Sequence, residues 1–233
     1  MAAKIIEKFN TWAFKRAQPG RPALLHRLVT RQVSAGRSIN FILYWGKGPR
    51  NDPEAPDLQC LDFLASFATR IATAHAPGAR ITLCLTDTHA RLNGHSPERI
   101  ERYFSAIEQL ARQRGMAAVR LSGVVANYAP TSPPPAPDDP ALLDTLERSA
   151  GRWYRGLETA REGARQYLAM NMVEKVAVER FAPDSIFVTF NGSELSALFP
   201  DNLPIFFMYS LKRGTAVKPW FLDADGHPYE ASR

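Results

Sequence analysis

Two short stretches of this chain hold most of its reactive side chains. The first, "GKGPRN" (46–51), follows the apolar run "FILYW" and sets Lys47 and Arg50 on a glycine-bracketed turn. Glycines let a backbone approach an anion closely, so an ammonium and backbone N–H groups can meet a phosphate or carboxylate there. The second, "DTHARLNGH" (87–95), follows another apolar run and offers Asp87, His89, Arg91, Asn93 and His95. A carboxylate at a strand end can take a proton, orient an amine or hold a sugar hydroxyl, and either histidine can act as a base. A solvated surface turn at Lys47 and a capping role for Asp87 are the plainer alternatives at these places.

Several other chemistries lack their pattern. There is no G-x-x-x-x-G-K-[ST] loop and no G-x-G-x-x-G after a strand, so a nucleotide or dinucleotide site has no support. The G-x-S-x-G elbow of hydrolases is also absent. Cys60 and Cys84 each sit inside an apolar run and read as small core residues of a reducing compartment. The spacing of His89 and His95, with no cysteine near, is no metal pattern, so neither a metal nor a cofactor is expected. His26, His75 and His227 read as surface or packing residues.

The two loops serve one site only if the elements before them lie side by side. Runs at "SINFILYW" (38–45), "RITLCLT" (80–86) and "GMAAVRLSGVV" (115–125) predict buried strands. Between them fall helices over 57–76 and from an N-cap at Ser96, with Pro97 next, to about Arg114. This alternation predicts an α/β fold, a Rossmann-like parallel sheet flanked by helices with right-handed crossovers. Ligands of such sheets sit beyond the carboxyl ends of the strands, where both loops would meet.

Amphipathic helices over 3–16 and 23–34 make residues 1–37 a basic helical N-terminal segment. "APTSPPPAPDDP" (129–140) is a proline-rich loop or hinge, followed by a helical region over 141–181 broken near Gly151 or Gly163. "SIFVTF" (185–190), "IFFMYS" (205–210) and "KPWFLD" (218–223) are further strand candidates, with "NGSELSALFP" as a turn or short helix. The 233 residues are read as one α/β domain.

A hydrophobic content of 45% and a charged content of 22% suit a soluble globular protein. No apolar run is long enough to span a membrane, and early charges interrupt any secretory signal, so a cytoplasmic location is expected. Residues 1–50 carry ten Lys/Arg against one acid, Glu7, whereas the remainder carries 19 against 22, so the net charge of +6 is concentrated at the start. Such a segment suits a nucleic-acid arm, a transit peptide, a lid over an anionic ligand or a solvated surface helix.

The order of "FILYWGKGPRND", "PDLQCLDFLASFATRI" and "PGARITLCLTDTHARLNGHSPERIERYF" resembles the core of the pyoverdine/dityrosine-biosynthesis family, the isonitrile (isocyanide) synthases, with this chain a divergent and short member. The corresponding residues are Lys47, Pro49 and Asn51, then Pro56-Asp57, Pro77-Gly78-Ala79, Thr86-Asp87 and Tyr103. The resemblance implies a Rossmann-like fold and a cofactor-free transferase of secondary metabolism that condenses an amino acid's amine with ribulose 5-phosphate. It implies catalytic roles for Lys47 and Asp87 and a substrate clamp from Arg50, beside which Asn51, Arg91, Asn93 and Asn191 are taken as further substrate contacts. The family's glycine after the loop aspartate is Thr88 here, and a later histidine is Asn191, which leaves His89 to take over as the base. Three other expectations stand beside this one. They are a protein binding tRNA or another nucleic acid through its basic start, an aminoacyl-tRNA-dependent transferase, and a non-catalytic family member.

Overall fold

The apolar runs become strands because a sheet covered by helices on both faces can bury them. The computed structural model describes residues 1–46, 48–208, 210–212 and 215–217, with Trp153 and the last two stretches as backbone only. Five strands, β1 (Ile39–Trp45), β2 (Ala79–Leu85), β3 (Ala117–Arg120), β4 (Ser185–Thr189) and β5 (Ile205–Phe207), form one sheet in the order β3-β2-β1-β4-β5. Every pairing in it is parallel. A separate antiparallel ribbon joins β6 (Ser210–Lys212) and β7 (Thr215–Val217).

Side chains alternate across the sheet and divide the interior in two. Phe41, Leu43 and Trp45 of β1 enter the core shared with α1 (Ala2–Phe9), α2 (Pro22–Ser34), α3 (Ala55–Ala72) and α5 (Pro97–Gln113). Ile42 and Tyr44 enter the other, under α6 (Leu121–Tyr128), α7 (Pro140–Trp153) and α8 (Ala160–Phe181). The chain runs outward from β1 to β3, then returns through α6, α7 and α8 to lay β4 on the free side of β1. Strand order therefore reverses between β1 and β4, the place where open α/β sheets bind ligands.

Three local expectations change. The segment after β2 is a short helix, α4 (Asp87–Leu92), rather than a loop. The third strand stops at Arg120, because the Asp87 carboxylate accepts the backbone N–H of Ser122 and starts α6 there. The long helical region breaks at residues 154–159, between the two expected glycines. Gly163 lies inside α8, where the Tyr154 ring packs against it, 3.0 Å from where a Cβ would be. The strand expected over 218–223 lies outside the described residues.

The basic first segment is packed rather than free. Helix α1 ends at Phe9, well before residue 16, and its apolar stripe Ile5 and Phe9 is fully buried among Phe41, Phe67 and Phe206. The chain then runs antiparallel beside β5, with bridges Lys15 to Met208 and Gly20 to Ile205. This covers an edge whose unpaired N–H and C=O groups would otherwise recruit another strand. A Cβ on Gly20 would come 3.2 Å from the Ile205 side chain, a tight contact that glycine avoids. Arg21, in left-handed backbone at φ 57°, donates through its guanidinium to the carbonyls of Pro200 (2.7 Å) and Leu203 (2.6 Å). No helix among the described residues is long and apolar enough to cross a membrane.

Candidate active site

The carboxyl ends of β1 and β2 are tied together by the Thr86 hydroxyl, which donates to the Trp45 carbonyl at 2.8 Å. Immediately beyond, Asp87 is almost fully buried with both oxygens engaged. One accepts the Ser122 N–H (2.9 Å) at the start of α6, and the other accepts the Arg91 guanidinium (3.0 Å). A carboxylate at a helix N-terminus is favoured by the helix dipole, so Asp87 braces α4 against α6. A proton-carrying role would require one of these bonds to be given up.

His89, one turn into α4, points away from Asp87 toward α8. Its Nε2 lies 2.7 Å from Oε2 of Glu174, and the Thr88 hydroxyl donates to the other oxygen of Glu174 at 2.6 Å. Glu174 is 1% exposed, and a buried carboxylate of this kind is tolerated only when both oxygens are bonded. Because a carboxylate accepts, Nε2 carries the hydrogen and Nδ1 is the basic nitrogen of the imidazole. This is the orientation that a carboxylate partner gives a general-base histidine.

Two phenols flank the pair. The Tyr44 and Tyr167 rings stand edge-on to His89, with centroids 5.9 and 5.0 Å away. Among the described residues the buried Tyr44 hydroxyl has no hydrogen-bond partner. Burial, and then the negative charge of Glu174, push the Tyr44 phenol well above its ordinary range and the Tyr167 phenol up to about 12. Both therefore stay protonated near neutrality, and Tyr44 is a hydrogen-bond donor in want of an acceptor. The Cys84 thiol is raised by the same two causes, which makes it an inert core residue.

Asn93 caps the end of α4, and beside it Gly94, His95, Ser96, Arg99 and Arg155 line a cavity of about 380 Å³. Gly48 meets His95, whose Nε2 would lie 3.3 Å from a Cβ placed there, so the loop after β1 does reach the α4–α5 turn. Lys47 itself lies outside the described residues. Arg50 pairs with Glu54, and Asn51 is exposed. Asn191 follows β4, where its backbone N–H donates to the Thr189 hydroxyl at 3.1 Å. The fold thus gathers Asp87, His89, Arg91 and Asn93 on one short helix, while Arg50, Asn51 and Asn191 sit on the loops after β1 and β4.

Glu174, Tyr44 and Tyr167 are absent from the sequence expectations. A helical projection of α8 holds a signal for the first. Glu174 falls on the buried stripe with Leu168, Asn171 and Val178, an unusual place for a carboxylate without a partner.

On the opposite side of β1 lies a second buried polar group. The Tyr103 hydroxyl donates to Asp57 (2.7 Å) and accepts the Trp45 indole N–H (3.3 Å), while the other Asp57 oxygen accepts the Glu54 N–H (2.8 Å) as part of a capping box. Asp57 and Tyr103, which belong to two separate motifs of the resemblance, are therefore in contact.

No protein-family model matches the chain, and no curated protein matches it by sequence. Among solved structures, the chain is similar to the crystal structure of the PvcA protein from Pseudomonas aeruginosa. The overlap covers 94% of this chain and 87% of that one, with a TM-score of 0.59 and 15% identity. At that identity the likeness shows the fold. Tyrosyl-tRNA synthetase from Archaeoglobus fulgidus, crystallised with L-tyrosine, overlaps 87% of this chain and 63% of its own, with a TM-score of 0.48 and 14% identity. That score is too low to carry an argument.

Proposed function

We propose that this protein is an enzyme resembling the isonitrile synthases, acting on the amine of an amino acid and on a sugar phosphate such as ribulose 5-phosphate. The observation that carries the reading is the buried His89–Glu174 pair with the Tyr44 hydroxyl beside it, at the carboxyl edge of a Rossmann-like sheet. The order of motifs and the distant fold likeness to PvcA, a protein of that family, support the choice of chemistry.

The first step of such a condensation needs two proton movements. An amino acid's ammonium group must lose a proton before it can attack, and the ketone oxygen of the sugar must gain one as the C–N bond forms, after which water leaves. His89 takes the first proton on Nδ1 while Glu174 stabilises the resulting imidazolium through Nε2–H. Tyr44, held neutral, donates to the ketone oxygen. A base and a neutral hydrogen-bond donor in one buried site are the parts that acid–base catalysis requires. Lys47 and Arg50, from the loop after β1, are assigned to the anionic ends of the substrates.

The test is incubation of the purified protein with the twenty amino acids and ribulose 5-phosphate carrying a carbon label, read by mass spectrometry. A new labelled product derived from one amino acid is expected, and it names the substrate. An unchanged pool, with label only in the sugar, sinks the reading.

A further inference from the structure

We infer that the cavity lined by Asn93, His95, Arg99 and Arg155 is an oxyanion pocket, built to hold the phosphate of a phosphorylated substrate. The inference rests on the proposed function in one respect, that such a substrate enters this edge of the sheet.

Three segments build the cavity. The turn between α4 and α5 supplies Asn93, Gly94, His95 and Ser96, α5 supplies Arg99, and the connector between α7 and α8 supplies Arg155. Gly94 joins them. It has φ +81°, and a Cβ there would lie 2.8 Å from the Arg155 carbonyl oxygen, so only glycine lets the connector close onto the turn. About 380 Å³ is the size of a small-ligand site.

Its charge is unbalanced. Among the described residues neither Arg99 nor Arg155 has a carboxylate partner, although most other arginines near this edge, including Arg50, Arg91, Arg102 and Arg120, do. Arg155 donates instead to the carbonyls of Tyr154 and Arg152, both at 2.8 Å, which anchors its guanidinium at the rim. Glu98, next to Arg99 in sequence, bonds to its own backbone N–H and to the Ser96 hydroxyl at the cavity's edge rather than to either guanidinium. Two guanidiniums with an imidazole and an amide match the charge and the several acceptor oxygens of a phosphate monoester better than a single carboxylate.

The position also fits. Asn93 is four residues beyond His89, about 6 Å along the α4 axis. On the other wall, the connector that carries Arg155 leads into α8, the helix that holds Glu174 and Tyr167.

The experiment is calorimetric titration of wild type with orthophosphate, ribulose 5-phosphate, unphosphorylated ribulose and a mixture of amino acids, repeated on Arg99→Ala and Arg155→Ala. Arg99 makes no side-chain hydrogen bond among the described residues, so its variant should fold normally even if the connector suffers in the other. Removal of either guanidinium should weaken phosphate-bearing ligands roughly tenfold and leave ribulose unaffected. If the amino acids weaken instead, the anion held is a carboxylate and the phosphate assignment falls. If neither class changes in either variant, the pocket itself is overturned. A labelled product with unaltered KM for ribulose 5-phosphate in both variants removes the pocket and keeps the reaction. Tight, arginine-dependent phosphate binding without any product does the reverse.

Discussion

Two buried clusters of similar ingredients flank β1. On the α3 and α5 side, Asp57, Tyr103 and Trp45 close on one another, each polar atom named meeting a partner. On the α8 side, Glu174 and His89 are paired, yet the Tyr44 hydroxyl beside them is left without one. A closed network braces the fold, because every polar group has exchanged water for protein. An open one leaves unused hydrogen-bonding capacity, and unused capacity at the end of a parallel strand is what a substrate can take up. Polarity and burial are common to both clusters, so neither alone distinguishes the cluster proposed to react from the one that braces.

This contrast predicts that damage on the two sides should read out differently. Glu174→Gln keeps the volume and removes the charge that orients His89, so kcat should fall roughly 10²–10⁴-fold while the protein still melts cooperatively. Unchanged turnover by steady-state assay would show that the α8 cluster is only another brace. Asp57→Ala should act oppositely. It orphans the Tyr103 hydroxyl and the Glu54 N–H, costing about 1–3 kcal/mol for each group left unsatisfied in urea denaturation, with kcat per folded molecule near wild type. Tyr44→Phe separates the two properties within one residue. Stability should hold or rise, since an unpaired buried hydroxyl is removed, while kcat falls about tenfold or more. A variant that lost stability and kept activity would reverse the assignment.

The smallest effect concerns acid. Burial, and then the Arg99 charge, lower the His95 pKa, so folding disfavours its protonated form. The contribution of His95 to stability is complete above its unfolded value of about 6.5 and is lost as pH falls through the folded one. As pH falls across this range, melting curves should show wild type losing stability relative to His95→Gln, whose side chain takes up no proton. Parallel curves would rule out this source of acid sensitivity.

The readable parts of the fold were those decided by local pattern. The strands at 39–45 and 79–85 and the helix opened by Ser96-Pro97 follow from apolar runs and a cap whose partners lie within a few residues. The strand that ends at Arg120 does not, because the group that starts the following helix is Asp87, far away in sequence and adjacent only in space. The site divides the same way. Asp87, His89 and Arg91 stand out because they crowd one strand end, whereas Glu174 is one acid in a helix with several, and its meaning comes only from the histidine packed against it. Tyr44 was hidden inside "FILYW", where it reads as one more β-favouring aromatic.

The antiparallel pairing of residues 15–20 with β5 has a consequence for synthesis. The segment emerges from the ribosome early, but the strand it covers is made only after nearly all of the intervening chain, on the order of ten seconds or more later. Throughout that interval Phe9 lacks Phe206, one of the three rings it packs against in the finished protein, although Phe41 and Phe67 are made early. The nascent chain therefore keeps one face of this aromatic cluster open until β5 arrives, and soluble yield should depend on how well that face is shielded in the meantime.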